Sequence, residues 1–235
     1  MTVGVTLRED QNNIKQRKTK TKSELRYYTE DEAKILIKAA TQTYMNGSPV
    51  YRLGYIVPFA IHTGLRLSEL LGLKWHNVDF ENKIIHIRDT VVQIIDRSKN
   101  PKSKMKILDQ IDITKSYSGQ RSLHLNDTAF DAIKHLHDET GHTKYVFITK
   151  TGKPPDPCVI ETLIRKIAIR AEFPKEKQFG MHALRHTFAS ILFAKGVDVQ
   201  VVSKLLGHST IQITRETYIH LIEGQEKKAI NFINF

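Results

Sequence analysis

The chain has 235 residues, 40% hydrophobic and 26% charged, the balance of a folded protein rather than a disordered or membrane-embedded one. Thirty-six lysines and arginines against 25 acids leave a net charge of +11, which points to a polyanionic partner. A single cysteine, Cys158, excludes an internal disulfide framework and suits a cytosolic protein, and neither a membrane-length apolar run nor a signal-peptide core is present.

Residues 1–28 hold the acid-free run Lys15-Gln16-Arg17-Lys18-Thr19-Lys20-Thr21-Lys22 and read as a basic arm that could grip phosphates. Thr29-Glu30-Asp31-Glu32 is a capping box opening a helix with Ala33, Ile35, Leu36 and Ala39 on its apolar side. Val50 to Ile61 predicts a second helix, kinked at Pro58. A short helix anchored by Leu67, Leu70, Leu71 and Leu73 follows the Gly64 turn, so Arg66 stands at the edge of a buried surface. Its guanidinium needs a partner there, either an internal carboxylate (Glu69 or Asp79) or a phosphate.

Strands are expected at Lys83–Ile87 and Thr90–Ile95, then a basic loop from Arg97 to Lys106. A hairpin is expected to join Gln110–Thr114 to Arg121–Leu125, with Lys115 where strand meets turn. On local grounds Lys115 is an ordinary surface lysine. Asn126 caps a helix to about Glu139 with Phe130, Ile133 and Leu136 on one side; His135 and His137 face apart and make a poor metal pair. Tyr145–Ile148 reads as a strand, Lys150–Lys153 as a turn, and Val159–Ala171 as a helix.

The most informative stretch runs from Met181 to Tyr218. If His182 opens a helix, His182 and Arg185 share a face and can meet one small anion. Val199–Leu206 is a short amphipathic helix with Asp198 as N-cap and Gly207 as breaker, leaving His208 just beyond it. Ten residues later comes Tyr218, which alone would read as a packed aromatic. His182 and His186 have the spacing of a zinc helix, but no glutamate follows His182 and no third ligand is near, so no metal is expected. A Gly-rich phosphate loop, a Ser/His/Asp spacing and a carboxylate cluster for two-metal chemistry are likewise absent from the sequence. What remains is a set of basic residues suited to phosphoryl transfer, in which cations neutralise the transition state.

Thr63-Gly64-Leu65-Arg66-Leu67-Ser68-Glu69, Thr114-Lys115-Ser116, His182-Ala183-Leu184-Arg185-His186-Thr187, Leu206-Gly207-His208 and Tyr218 together resemble the catalytic domain of the tyrosine recombinases, the phage and transposon integrases. The resemblance implies a mainly α fold with a small antiparallel β-sheet (α+β), with a basic arm over 1–28, a catalytic domain over 29–222 and a tail over 223–235. It implies that Arg66 and Arg185 clamp the scissile phosphate, His208 hydrogen-bonds it, and His182 acts as general acid/base. Lys115 would protonate the leaving 5′ oxygen and Tyr218 would attack, giving a 3′-phosphotyrosyl link without metal or cofactor. The implied partners are double-stranded DNA with inverted-repeat sites, further copies of the chain (dimer to tetramer), and accessory DNA-bending or excision factors. The implied setting is the nucleoid of a bacterium, or a phage or mobile element, with no membrane.

The family normally carries a DNA-clamping domain ahead of the catalytic one, and about 28 residues are too few for it. The resemblance implies that the apolar tail packs on a neighbouring copy, exchanged in trans, with docking on its own domain as the alternative. A topoisomerase-like relaxing enzyme and a DNA-binding regulator with an idle site are the alternatives. A free tyrosine is ionised only about one part in a thousand at pH 7, a penalty of roughly 4 kcal/mol. The surrounding cations would have to offset it.

Overall fold

The computed structural model describes residues 25–95, 106–112 and 120–230. Eight helices, numbered α1 to α8 below, and two small antiparallel sheets occupy these residues. The expected α+β class is therefore observed.

Helix α1 (Glu30–Ala40) starts as read, with Thr29 Oγ1 accepting from Glu32 N and Glu32 Oε2 accepting from Thr29 N. Its buried stripe is Ala33, Leu36, Ala39 and Ala40, whereas Ile35 is 52% exposed and leaves the expected core. Spacing explains this, since Ala33, Leu36 and Ala40 follow the three–four rhythm of one face and Ile35 falls off it. Tyr28, the last residue of the expected arm, is fully buried against Phe173 and Phe179, and its backbone N donates to Thr187 Oγ1. Residues 1–24, with the basic run, lie outside the described residues.

The second helix is shorter than expected: α2 spans Ile56–Thr63, after turns over residues 51–55. Pro58 is its third residue, inside the first turn, where no backbone N–H has a helical partner to lose, so the reason to expect a kink disappears. Residues 56–61 are all buried, as befits the central helix, which packs against α4 and α6.

Gly64 ends α2 at φ 63°, and a Cβ there would lie 2.4 Å from the Phe188 ring. We expect Gly64→Ala to lower stability by about 1–2 kcal/mol from backbone strain alone, with the ring clash added. Thermal unfolding measures it, and an unchanged Tm would contradict the assigned backbone.

Helix α3 (Leu67–Gly72) follows with Arg66 as its N-cap residue. Strands β1 (Val78–Asp79), β2 (Ile84–Ile87) and β5 (Arg121–His124) form one antiparallel sheet, and β3 (Asp89–Ile95) pairs with β4 (Lys106–Asp112) in the other. This corrects the expected hairpin: residues 106–112 return along β3, and β5 pairs with β2, setting Leu123 opposite Ile85. Both side chains are buried, so long-range burial outweighs the local turn signal that suggested a hairpin. Tyr145–Ile148 makes one isolated bridge, Tyr145 to Lys74, rather than a strand.

The expected helices over 126–139 and 159–171 appear as α4 (Asp127–Thr140) and α5 (Pro157–Arg170), capped by Asn126 and Asp156. Helices α6 (Met181–Ala194), α7 (Val199–Leu206) and α8 (Ile211–Ile230) close the fold. They share a second apolar cluster of Ala189, Phe193, Val202, Leu206 and Tyr218, beside the main core. Helix α8 continues past residue 222, where the tail was expected to begin, and residues 231–235 lie outside the described residues. Among the described residues no helix is long and apolar enough to cross a membrane.

Candidate active site

The site is built on the end of α7. Asp198 caps the start of this helix, accepting from Gln200 N at 2.7 Å, and Gly207 ends it at φ 65°. The last carbonyls of a helix have no partner within it. Here arginines supply one for each of three successive carbonyls. Arg121 Nε donates to Leu205 O at 2.8 Å, Arg185 Nη2 to Leu206 O at 2.8 Å, and Arg66 Nη2 to Gly207 O at 3.1 Å. Arg66 Nη1 also reaches Leu206 O at 3.4 Å, so Arg66 and Arg185 share an acceptor.

Arg185 comes from the first turns of α6, whose opening N–H at Met181 donates to Glu161 Oε2 at 3.2 Å. Its Nη1 donates to Gly64 O at 2.6 Å, tying the glycine that ends α2 to the carbonyl that ends α7. Burial first, and the neighbouring Arg66 cation second, pull Arg185 down to about 9, still charged at neutral pH. Arg66 makes the ion pair with Glu69 expected of an internal salt bridge, Nη1 to Oε1 at 2.8 Å, yet its side chain remains 39% exposed. Arg121 grips the same carboxylate from the other side, Nη1 to Oε1 at 3.1 Å and Nη2 to Oε2 at 2.9 Å. Among the described residues, three guanidinium groups converge with one carboxylate, Glu69, at the end of α7. Such a cluster gains from an added anion.

His208 follows Gly207 directly, its Nδ1 bonded to Thr214 Oγ1 at 2.7 Å. Burial, then Arg185 and Arg66, push its proton affinity down to about 4, so the ring is neutral at pH 7. His182 lies exposed at the start of α6, and burial of part of the ring with Arg185 nearby lowers its affinity too. The structure therefore gathers Arg66, Arg185, His182 and His208.

Tyr218 does not lie in the open beside the arginines. Its side chain is 1% exposed, its ring packs on Phe193, and its hydroxyl shares a hydrogen bond with His186 Nδ1 at 2.8 Å. The backbone of α8 breaks from helical geometry at this residue (φ −115°, ψ 17°). Burial raises the phenol to about 12, so ionisation at pH 7 in this position would require roughly 7 kcal/mol. Lys115 lies outside the described residues.

Two participants carry no assignment from the sequence. His186 stands there only as a zinc partner of His182; the two rings meet edge to face at 4.6 Å, and among the described residues no group of three metal-ligating side chains forms. The usable signal for His186 is its position one helical turn from His182 in a stretch already rich in polar groups. Arg121 gives no signal, since its partners lie 52 and 84 residues away.

His186, like His208, is pushed down to about 4, chiefly by burial. Unfolded, each imidazole takes up its proton near pH 6.5; folded, only near 4. Stability from this source is intact above pH 6.5 and is lost as pH falls toward 4. Burial works to raise the Glu69 carboxyl, but hydrogen bonds and charge from Arg121 and Arg66 outweigh it and hold the group below its ordinary range. Because both rings are half-buried, we expect a loss of about 1–2 kcal/mol from each by pH 4.5. Thermal unfolding at pH 7 and pH 4.5 measures it. A His186→Phe variant should lose part of the pH dependence, and an unaltered profile would count against the assignment.

Residues 26–224 match the model of the phage integrase family. A curated relative, a "tyrosine recombinase XerC-like" protein of Caldanaerobacter subterraneus subsp. tengcongensis, is 31% identical over 229 residues, covering 92% of this chain and 55% of the relative. Among solved structures, the XerA recombinase superposes with a TM-score of 0.65 at 25% identity, over 89% of this chain and 64% of that one. The Tn1549 transposon integrase, solved with circular intermediate DNA, superposes with a TM-score of 0.65 at 20% identity, over 87% of this chain and 66% of that one; at that identity the likeness concerns the fold. The chain thus spans about half to two thirds of the length of these proteins.

Proposed function

This chain belongs to the phage integrase family, and on that premise we propose that it cuts and rejoins DNA strands at specific sites through a covalent bond to Tyr218. The observation that carries the proposal is the pair Arg66 and Arg185, converging on the Leu206 carbonyl beside His208. Two cations of different exposure at one point offer fork contacts to the non-bridging oxygens of a phosphodiester, and they stabilise the charge that grows there in the transition state. His208 adds a hydrogen bond, and His182 takes the Tyr218 proton as general base, returning it as general acid in the reverse step. Lys115 protonates the leaving 5′ oxygen. Attack by the Tyr218 oxygen on phosphorus forms a 3′-phosphotyrosyl ester and releases that 5′ hydroxyl; attack by another strand's 5′ hydroxyl reverses the step. The bond energy is conserved, so neither a metal nor a high-energy cofactor is needed.

The catalytic unit spans 29–222 together with Tyr28, which packs into it, while α8 runs on past residue 222 into the expected tail. Its partner is duplex DNA with inverted-repeat sites, engaged by two to four copies of the chain, with accessory DNA-bending or excision factors. Recombinase and integrase names among the relatives favour strand exchange over relaxation or an idle site.

The test is covalent capture. The chain is incubated with a pool of nicked duplexes of randomised sequence, then denatured. We expect DNA attached through its 3′ phosphate to survive denaturation and to be enriched in one sequence class. Binding without any attached DNA across the whole pool would leave a DNA-binding protein and remove the proposed chemistry.

A further inference from the structure

We propose that Arg121 is a positioning residue of the anion site: it absorbs the charge of Glu69, so that Arg66 is left available to a phosphate. The proposal rests on the reading of Arg66 and Arg185 as phosphate ligands. Glu69 is one buried carboxylate with two arginine claimants. Arg121 covers both of its oxygens with a two-pronged grip, at 3.1 and 2.9 Å, whereas the Arg66 guanidinium reaches only Oε1. The two side chains also differ in setting: Arg121 is 8% exposed and Arg66 39%. The inner arginine therefore serves the carboxylate, and the outer one stays partly open to solvent. Remove the inner charge, and Glu69 must draw its whole compensation from Arg66, pulling that side chain inward and cancelling the charge offered to an anion.

The same guanidinium acts on a second element. Its Nε holds Leu205 O, the carbonyl before the two taken by Arg185 and Arg66. Gly207 lets it come that close, because a Cβ there would sit 2.6 Å from Arg121 Nη1. One side chain on β5 thus fixes the charge state of the α3 corner and the path of the turn that delivers His208. A planar fork with five donors can do both at once, and an ammonium cannot.

The test uses inorganic phosphate as the probe, titrated into the full chain with arginine side-chain N–H groups followed by NMR. The wild-type chain should bind and shift the Arg66 and Arg185 signals. Arg121→Gln should bind phosphate about tenfold more weakly or worse, the effect of removing one charge-assisted hydrogen bond. Arg121→Lys should recover only part of the affinity. The double variant Arg121→Gln/Glu69→Gln should bind better than Arg121→Gln alone, because the carboxylate that captures Arg66 is gone; a purely structural role for Arg121 would make the effects of the two substitutions add. Wild-type affinity in Arg121→Gln, full recovery in Arg121→Lys, or additive effects in the double variant would each overturn the proposal. Should Arg121→Gln fail to fold, the lysine variant decides it against the wild-type affinity. If phosphate leaves the wild-type Arg66 and Arg185 signals unmoved, the anion site itself is refuted and this role falls with it, an outcome distinct from the loss of the Arg121 effect alone.

Discussion

Tyr218→Phe is expected to eliminate covalent capture of nicked DNA while leaving non-covalent binding of the duplex nearly unchanged. The variant deletes one oxygen atom, the protein atom that the proposed reaction bonds to phosphorus, so the rate should fall by several orders of magnitude. The ring stays in its apolar cluster with Phe193, Val202 and Leu206, so the fold should hold. Deleting the hydroxyl leaves His186 Nδ1 without its partner, a change of about 1 kcal/mol visible as a small drop in Tm. Gel retardation and denaturing electrophoresis on the same samples separate the two effects. Adduct persisting in the phenylalanine variant would remove Tyr218 from the chemistry, and a loss of binding would give the residue a packing role instead.

The two site arginines should fail in different ways. Arg66→Ala and Arg185→Ala are each expected to slow adduct formation by roughly a hundred- to a thousandfold, the usual effect of removing one preorganised donor from a developing negative charge. Their stabilities should diverge. Arg185 is buried and holds Gly64 O and Leu206 O, so its removal strands Gly64 O, leaves Leu206 O only the long bond from Arg66, and should reduce stability by about 2–4 kcal/mol. Arg66 is partly exposed, and when it is truncated Glu69 keeps Arg121 and the backbone N–H of residue 66, so the loss should stay below about 1 kcal/mol. Single-turnover kinetics beside thermal unfolding resolves this contrast. Equal destabilisation by both variants would contradict the division into an inner and an outer cation.

Much of this site can be read along the chain because its positions are marked by local chemistry. Glycine breakers at 64 and 207 and the caps Thr29, Asn126 and Asp198 announce helix ends before any packing is known. Arg66 and His208 stand beside two of those ends, and Arg185 lies in the first turns of a helix, where a charged group next to apolar core demands explanation. The salt bridge from Arg66 to Glu69 is visible as a three-residue spacing on a short helix. The strand pairing is not visible, since residues 106–112 carry no turn signal that prefers β3 over β5. Tyr218 taken alone reads as the packed aromatic it is, but its partners are not visible, because the apolar cluster that encloses it draws on three helices. The Arg121 grip on Glu69 joins distant segments that only the folded chain brings together.

One consequence follows from the way α7 ends. The carboxyl end of a helix carries a partial negative charge of about half an electron, which would repel a phosphate. Here guanidinium groups on the last three peptide oxygens reverse the local sign, turning a repellent terminus into an attractive one. Arg66 holds its peptide oxygens at 3.1 and 3.4 Å, the loosest of these hydrogen bonds, so an arriving anion competes with the peptide for the same donors. Occupation should therefore loosen the final turn of this helix, and faster amide exchange just before Gly207 would register it.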